Sequence, residues 1–522
     1  MLRHIYPRPT TRTWAVLTLI ALAAAIPVAA WSVVTRQSSA EVAATAPSNV
    51  ADAAISPVEA RRRADFAAMQ AFRPGYAFWQ HVFTRPDGSI AFGSAVDGRL
   101  LATFPAKGVW ARKGVWIDPS IARILDGQPL AGTLSERRQQ VALLFGDAAG
   151  PVLHNRTRGD ALLANAGKYG PFLAEWGAIY ERFGVPAEIG LAQVIFESGL
   201  HPTRRSEANA VGFCQWLQGN WRRLNYFSPT PIEGRNQTTQ APYCAAYLSV
   251  LATKYGSFIP ALSEHNAGGT NVGRALITGE YLGADDVRTR YFLGSRLALD
   301  LRTLPGKEYA AIHKSYGPRS HLYAEMVFGN TFNIRKLLAA TPQVTISAMR
   351  APHPISLTEI VARTGLPADE VRRFNPALVE RVPAHAMIYL PDYVAEFGRD
   401  VAFWRRPPGP SYAAALHDFM RLEPGPERWD DPSFAPVLAD FRRRFRETNT
   451  EEGAVMDTVL AYAMDQAYTS SRRTLLSEYR NSEQVRELIE RGRLQLDAGS
   501  SAISRRLSTV PPSSAESRAH AR

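Results

Sequence analysis

The stretch from Val185 to Arg223, VPAEIGLAQVIFESGLHPTRRSEANAVGFCQWLQGNWRR, decides the fold of the central part of the chain. Apolar residues occupy almost every side of the segment after Pro186, so the pattern predicts a helix that is buried all round. Glu197 lies at the end of this apolar run. Burial raises the pKa of a carboxyl group, which a general acid working near neutral pH requires. The stretch therefore predicts a catalytic acid at Glu197; the alternative is a glutamate that only caps or pairs near the end of its helix.

The residues after this glutamate form a spaced motif. A serine follows directly, a proline comes five positions after the acid and a second serine nine positions after it. A pair of small residues and a Gly-x-x-Gln element complete the pattern. In order, these positions hold Glu197, Ser198, Pro202, Ser206, Asn209 with Ala210, Gly212 and Gln215.

Further motifs follow in the same half of the chain. A helix-like segment contains Ala245–Leu248 and Tyr255-Gly256, and His265-Asn266-Ala267-Gly268 comes next. Tyr323 then fits the end of a Glu-Thr-Arg-x-Tyr element. Together, these motifs resemble the soluble lytic transglycosylase (SLT) family, the goose-lysozyme-like enzymes that cut peptidoglycan.

The resemblance implies an activity and a set of site residues. Glu197 would protonate the oxygen between N-acetylmuramic acid and N-acetylglucosamine, and the substrate's own acetamido group and C6 hydroxyl would complete the reaction to a 1,6-anhydro product. The expected partner is therefore the peptidoglycan glycan strand. No metal or cofactor is expected. The residues that the family pattern assigns to substrate binding are Ser198, Gln215, His265, Asn266 and Tyr323.

Three of these assignments have alternatives. Asn266 either lines the substrate groove or belongs to a turn, for which Asn-Ala-Gly is favourable. Ser198 either hydrogen-bonds the catalytic carboxylate or ends the helix, and Gln215 either points its amide at a sugar acetamido group or makes an internal hydrogen bond. Glycosidases usually need a second carboxylate. Glu207 and Glu264 are candidates by position, but neither fits a role in the family.

The chain also departs from the family pattern. His265 stands where the motif has Tyr, and because imidazole titrates near pH 6.5 it is expected to add a second pH dependence. Arg319 and Ser320 occupy the positions of the Glu and Thr in the late element. Two rival functions therefore stay open: a hydrolytic goose-type lysozyme, and a catalytically weak peptidoglycan-binding scaffold of an envelope assembly.

The composition indicates an anionic partner. The chain carries a formal net charge of +12, which favours a negatively charged partner. Its 522 residues, of which 46% are hydrophobic, are enough for several domains with buried cores. A lipid surface or an acidic cell-wall polymer fits this charge. Nucleic acid is not expected, because no RNA-recognition, zinc-finger or homeodomain pattern occurs. The chain also contains no HExxH or GxSxG motif.

The first residues predict a membrane anchor. Residues 1–13 are basic, and the apolar run 14–34 is long enough to cross the hydrocarbon core of a bilayer. A cleaved signal peptide is the alternative. Basic residues before the span predict a cytoplasmic N-terminus with the rest of the chain outside, that is, a single-pass inner-membrane protein with a periplasmic catalytic domain. Residues 35–57 are expected to form a linker.

The remaining regions complete a mainly α fold with a small β-containing N-terminal module. Asp87-Gly88 and Asp97-Gly98 separate strand-like runs, which predicts a three-stranded meander between Ala77 and Pro105. The expected regions are an accessory module of unknown role at 58–160, the lysozyme-like SLT domain at 161–340, a βααβ module at 344–391, a helical C-terminal region at 392–498 and a disordered tail at 499–522.

The module at 344–391 resembles a lysin motif (LysM), which binds glycans that contain N-acetylglucosamine. Helical patterns at Leu357–Arg363 and Ala368–Phe374 lie between strand-like segments. An SLT domain followed by such a module is most similar to the D-type membrane-bound lytic murein transglycosylases. The usual Gly-Asp-Thr turn is absent, so the module either binds glycan or caps the catalytic domain.

Only two cysteines occur, Cys214 and Cys244. In an exported protein they are expected either to form a disulfide that braces the loop after Glu197 or to stay as two buried thiols.

Overall fold

The computed structural model describes residues 55–300, 320–394 and 401–493, and most of them are helical. The prediction of a mainly α protein is confirmed. The predicted cytoplasmic segment 1–13, the anchor 14–34, nearly all of the linker, the tail 499–522 and Arg319 lie outside the described residues. Within the described part of the chain, no helix is both long and apolar enough to span a membrane.

The N-terminal region contains helices around a small antiparallel sheet. Its sheet has the strand order β3-β2-β1-β4 and covers its own apolar core, which includes Phe92, Phe104 and Phe145. The elements are α1 (Pro57–Phe72), α2 (Trp79–Val82), β1 (Ser89–Ser94), β2 (Leu100–Pro105), α3 (Trp110–Lys113), β3 (Val115–Trp116), α4 (Leu134–Ala149) and β4 (Val152–Arg156).

The predicted three-stranded meander is wrong in its first strand. Residues 74–82 are helical, and the strand that pairs with the other side of β1 is β4, far along the sequence. Long-range packing explains the difference: the Trp79 indole donates a hydrogen bond to Glu325 Oε1 at 2.9 Å. A side chain at Gly329 would collide with the Tyr76 carbonyl, so this helical turn lies directly against the backbone of a distant helix. The hairpin around Asp97-Gly98 is present as predicted.

The central region is a bundle of helices with one short hairpin. Its elements are α5 (Asp160–Tyr169), α6 (Leu173–Arg182), α7 (Ala187–Ser198), β5 (Ala210–Val211), β6 (Trp216–Leu217), α8 (Gln218–Phe227), α9 (Gln237–Tyr255), α10 (Phe258–Ala267), α11 (Gly269–Tyr281), α12 (Val287–Asp300) and α13 (Tyr323–Ala340).

Helix α7 is the central element of this bundle. Ile189, Leu191 and Val194 are fully buried, as expected for a helix that is apolar on every side. Helix α6 packs on one face, where a side chain at Gly190 would overlap the Tyr180 ring, and α13 packs along another. The helix ends at Gly199, which adopts the left-handed conformation with φ of 58°.

Residues 344–391 contain two outer strands with two helices between them, the predicted order, and two further short strands that the sequence did not predict. The strands β7 and β10 pair antiparallel, and a second, shorter pair joins β8 to β9. The elements are β7 (Ile346–Arg350), β8 (Ile355–Ser356), α14 (Leu357–Thr364), α15 (Ala368–Phe374), β9 (Arg381–Val382) and β10 (Met387–Pro391).

The C-terminal region is helical and shares its core with the central bundle. Residues 483–493 are also helical. The named helices are α16 (Pro410–Met420), α17 (Pro426–Trp429), α18 (Ala435–Glu447), α19 (Glu451–Thr469) and α20 (Arg472–Asn481). The buried side chains of α16, α18 and α19 belong to the same apolar cluster as those of α7 and α9.

A buried group of four charges joins this region to the bundle. Glu264 Oε1 lies 3.1 Å from the Arg472 guanidinium, and Glu264 Oε2 lies 3.0 Å from Lys254 Nζ. Asp430 lies 3.4 Å from Lys254 and 3.2 Å from Arg472. Burial acts to raise the pKa of Glu264, but Lys254 and Arg472 outweigh it and lower that pKa to about 2. Glu264 therefore stays ionised between the two cations.

Replacing Arg472 by Met should strongly destabilise the protein. The change removes one cation and leaves two buried carboxylates to share Lys254, and losing one partner of a buried ion pair costs about 3–5 kcal/mol. The free energy of unfolding, measured by chemical denaturation, should fall by this amount.

Arg473→Met is the matched control. This neighbouring arginine pairs with Asp431, but its side chain is 63% exposed. Equal losses of stability in the two variants would contradict the account of the buried cluster.

Candidate functional site

The last turn of α7 places the predicted catalytic residue at the edge of the core. Glu197 is the residue before the end of the helix, and its side chain is 11% exposed. The turns that precede it are buried, so the helix holds the carboxyl group against apolar neighbours while one side stays open to solvent. Phe196 packs its ring on Tyr323, with 4.7 Å between the ring centroids.

Tyr323, the first residue of α13, contacts the carboxyl group directly. Its hydroxyl donates a hydrogen bond of 2.5 Å to Glu197 Oε1. The same hydroxyl oxygen accepts a hydrogen bond of 3.3 Å from Gln193 Nε2. Tyr323 is fully buried, so it positions Glu197 and is not exposed for contact with a ligand. The structure thus brings together two of the predicted site residues, but gives Tyr323 a different role from the expected substrate contact.

Gln193 was missed by the sequence analysis. It lies one helical turn before Glu197 and is 1% exposed. Residues four apart share one face of a helix. An amide residue on the same face as Glu197 in an otherwise apolar helix is the signal in the sequence that could have identified it.

The environment makes Glu197 a weaker acid than an ordinary glutamate. Burial raises its pKa to about 7, and the hydrogen bond from Tyr323 acts in the opposite direction. Burial also raises the pKa of Tyr323 well above its usual value, so the phenol stays protonated and remains a donor. Near neutral pH, Glu197 can therefore both give up and accept a proton.

His265 lies beside Glu197, in the last turn of α10. Its Nε2 is 3.6 Å from Glu197 Oε1 and 3.0 Å from the Cys214 carbonyl oxygen. Burial lowers its pKa to about 4, although the hydrogen bond to Cys214 opposes this shift. The neutral ring therefore donates its Nε2 proton to the carbonyl. The expectation that His265 titrates near pH 6.5 is wrong, because the side chain is too well shielded from water to hold a charge.

Ser198 and Gln215 make internal hydrogen bonds. The Ser198 hydroxyl is fully buried and lies within hydrogen-bond distance of the carbonyl oxygens of Val194 (3.2 Å) and Phe213 (3.1 Å). These bonds fit the second alternative, a serine at the end of the helix, and they tie the helix end to the following loop. With its hydroxyl buried, Ser198 is not exposed for contact with a ligand.

The Gln215 amide closes this loop. Its Nε2 donates to the carbonyl oxygens of Arg204 at 2.8 Å and Gly212 at 3.0 Å. Of the two alternatives for Gln215, these contacts are the internal hydrogen bonds. A contact of this side chain with a sugar stays a prediction.

Helix α9 and a disulfide hold the loop that follows Glu197. The structure joins Cys214 to Cys244, with 6.3 Å between their Cα atoms. Gln240 Oε1 accepts a hydrogen bond of 2.7 Å from the Phe213 amide, and Gln240 Nε2 donates to the Gly234 carbonyl. These contacts hold the Cys214 carbonyl in the position where His265 meets it.

The remaining candidates lie at the margin of the site or outside it. Asn266 is exposed, one residue after His265. Glu207 is exposed in the loop, and Glu264 belongs to the buried charge group. Neither glutamate contacts Glu197, so among these candidates Glu197 is the carboxyl group placed for acid chemistry.

The site residues are largely shielded from solvent, with the side chains of Glu197 and His265 11% and 7% exposed. Cavities of about 870 Å³ and 400 Å³ occur between the bundle and the C-terminal region, and neither is lined by Glu197, His265 or Tyr323. No group of three or more His, Cys, Asp or Glu side chains in the described ranges could hold a metal ion. Comparisons of the sequence with known protein families and with curated proteins found no match.

Replacing Tyr323 by Phe should raise the pKa of Glu197 above its value of about 7. The hydroxyl stabilises the charged carboxylate by donating to it, so its removal favours the protonated form. Carbon NMR of ¹³C-labelled glutamate over a pH series measures this directly, with Glu197→Gln identifying the resonance. A pKa that stays constant or falls in Tyr323→Phe would contradict the assigned hydrogen bond.

Gly212→Ala should distort the loop and lower stability. Gly212 has φ of +83°, and a Cβ atom there would lie 2.4 Å from Gln240 Nε2, which is already held on both sides. Backbone strain of this kind costs about 1–3 kcal/mol. Thermal unfolding should show the loss. Gly219→Ala is the control, because a Cβ atom there meets nothing within 4 Å; an equal effect in both variants would refute the argument.

Proposed function

We propose that the protein is a peptidoglycan lytic transglycosylase with an SLT-type catalytic domain at 161–340. The observation that carries this proposal is the Glu197 carboxyl group, which is shielded from water, hydrogen-bonded by Tyr323 and able to exchange a proton near pH 7. The motif spacing around Glu197 supports the substrate class.

In this proposal Glu197 carries both proton transfers. It first protonates the glycosidic oxygen between N-acetylmuramic acid and N-acetylglucosamine, and the bond to C1 breaks. The acetamido oxygen of the substrate stabilises the positive charge at C1. The resulting carboxylate then accepts the proton of the C6 hydroxyl as that oxygen bonds to C1, which gives the 1,6-anhydro end and restores the acid. Since the substrate supplies the nucleophile, no second carboxylate is needed.

His265 has a supporting role in this scheme. Because it is neutral and donates to the Cys214 carbonyl, it adds no positive charge that would draw the proton off Glu197. The pH dependence should then follow one group: activity is present while Glu197 is protonated and declines as the pH rises through about 7.

The βααβ module at 344–391 fits the role of a cap on the catalytic domain. The Tyr389 and Thr239 hydroxyls are 3.0 Å apart, Asn236 Nδ2 donates to the Phe374 carbonyl at 3.2 Å, and the Phe374 ring packs on Phe172. These contacts reach the start of α9 and help to hold the helix that carries Cys244. Its resemblance to LysM leaves glycan binding as an added role of the outer surface.

The proposed location is the inner membrane, with residues 14–34 as a single span and the catalytic domain in the periplasm. The basic residues before the span and the disulfide support an exported protein.

The full chain should release 1,6-anhydro-muropeptides from purified sacculi, and Glu197→Gln should not. Removing a general acid lowers the rate by a factor of about 10²–10⁴. Mass spectrometry of the released muropeptides measures both the rate and the product.

Glu207→Gln is the matched control, because this exposed glutamate lies in the adjoining loop and should leave release unchanged. Reducing ends in place of anhydro ends would indicate a lysozyme. Binding to sacculi without any release would indicate a scaffold, and both outcomes would overturn the proposal.

A further inference from the structure

One edge of the N-terminal sheet combines exposed aliphatic side chains with cations. Val109, Val115 and Ile117 are 58%, 56% and 44% exposed, although they lie within nine positions of one another. The cationic side chains in the same segment are exposed as well. We call this surface the basic edge; it consists of Lys107, Val109, Arg112, Lys113, Val115 and Ile117.

The strand geometry explains why the aliphatic side chains face outward together. Side chains alternate along a strand, so Val115 and Ile117 share one face while Trp116 between them points inward to Phe104 and Phe145. Strand β3 is the edge of the sheet, with β2 on its only paired side. The second hydrogen-bonding edge of β3 therefore has no neighbouring strand among the described residues.

The basic edge rests on a rigid base. The ring of Trp110 is 1% exposed and stacks on Phe104, with 4.9 Å between the centroids, and its indole donates to the Pro105 carbonyl at 2.8 Å. A side chain at Gly114 would lie 2.3 Å from the Phe104 ring, so the chain packs closely there. The exposed residues are therefore presented by a fixed turn.

Within the described ranges, no acidic side chain pairs with the cations of the basic edge. Lys107, Arg112 and Lys113 make no ion pair or side-chain hydrogen bond with any other described residue. The sequence from 98 to 117 contains no acidic residue, and the next acid, Asp118, is bound to Arg99. Positive charge is thus concentrated next to the exposed aliphatic groups.

We propose that the basic edge docks on the surface of an anionic phospholipid bilayer. Aliphatic side chains flanked by Lys and Arg are the combination that binds at a headgroup region, where the apolar groups enter the acyl boundary and the cations meet phosphate. A soluble acidic polymer would satisfy the charges but would leave the three aliphatic side chains in water.

The position of the basic edge in the chain agrees with this partner. Helix α1 begins at Pro57, and the apolar run predicted to span the membrane ends at Val34. The 22 residues between these two points span at most about 75 Å even when fully extended. The N-terminal region would thus remain close to the bilayer, and docking would set the height and orientation of the site at Glu197 above it.

The test uses the full chain with an environment-sensitive fluorophore on Val115→Cys. Labelling is specific because the two native cysteines are joined and buried. The labelled protein is reconstituted into vesicles that contain phosphatidylglycerol, and brominated lipid is used to detect contact by quenching. Leu143→Cys on α4 is the matched probe, since Leu143 is 73% exposed on the same region but outside the basic edge.

We expect quenching at position 115 and little at position 143. Changing Lys107, Arg112 and Lys113 to Gln should weaken the docking equilibrium by about fivefold for each cation removed. Equal quenching at the two positions would overturn the proposal, as would a signal that is unchanged in vesicles of pure phosphatidylcholine. A response to soluble heparin and not to vesicles would identify an acidic polymer as the partner and would overturn it as well.

Discussion

The hydrogen bond from the Tyr323 hydroxyl to the Glu197 carboxyl group is the contact on which the account of the site depends. It joins the end of α7 to the start of α13, two positions 126 residues apart in the chain. An acid at the end of an apolar helix is held in place only if something polar meets it, since a buried carboxyl group without a partner is costly. Gln193 completes the arrangement by donating to the phenol oxygen, so that the phenol proton is directed at Glu197.

The C-terminal helices belong to the same structural unit as this site. Tyr462 on α19 stacks on Trp216, the residue after Gln215, with 5.9 Å between centroids and an angle of 21°. Arg472 on α20 binds Glu264, the residue before His265. The position of the imidazole beside Glu197 therefore depends on residues more than 200 positions later in the chain. This arrangement gives the C-terminal region a physical role that its amphipathic patterns alone did not indicate.

Local patterns identified those features whose cause is local. The apolar run before Glu197 and the βααβ order at 344–391 follow from side-chain periodicity, and the structure contains both of them. Features caused by distant contacts were missed. The pattern at 77–86 predicts a strand, but residues 74–82 are helical. The hydrogen bond from the Trp79 indole to Glu325 holds this helical segment against α13. The motif spacing directs Gln215 to a ligand, whereas its amide N–H groups donate to carbonyl oxygens of the loop. For His265, the neighbouring residues in the sequence do not show the burial that lowers its pKa.

The central claim is that one carboxyl group suffices because the substrate supplies the nucleophile. The most direct measurement is digestion of sacculi by the full chain in ¹⁸O-labelled water, followed by mass spectrometry of the new glycan ends. The account predicts ends that contain no ¹⁸O, since the C6 oxygen of the sugar replaces the leaving oxygen at C1. Incorporation of one ¹⁸O atom for each bond cleaved would show that water attacks C1, and would contradict the claim.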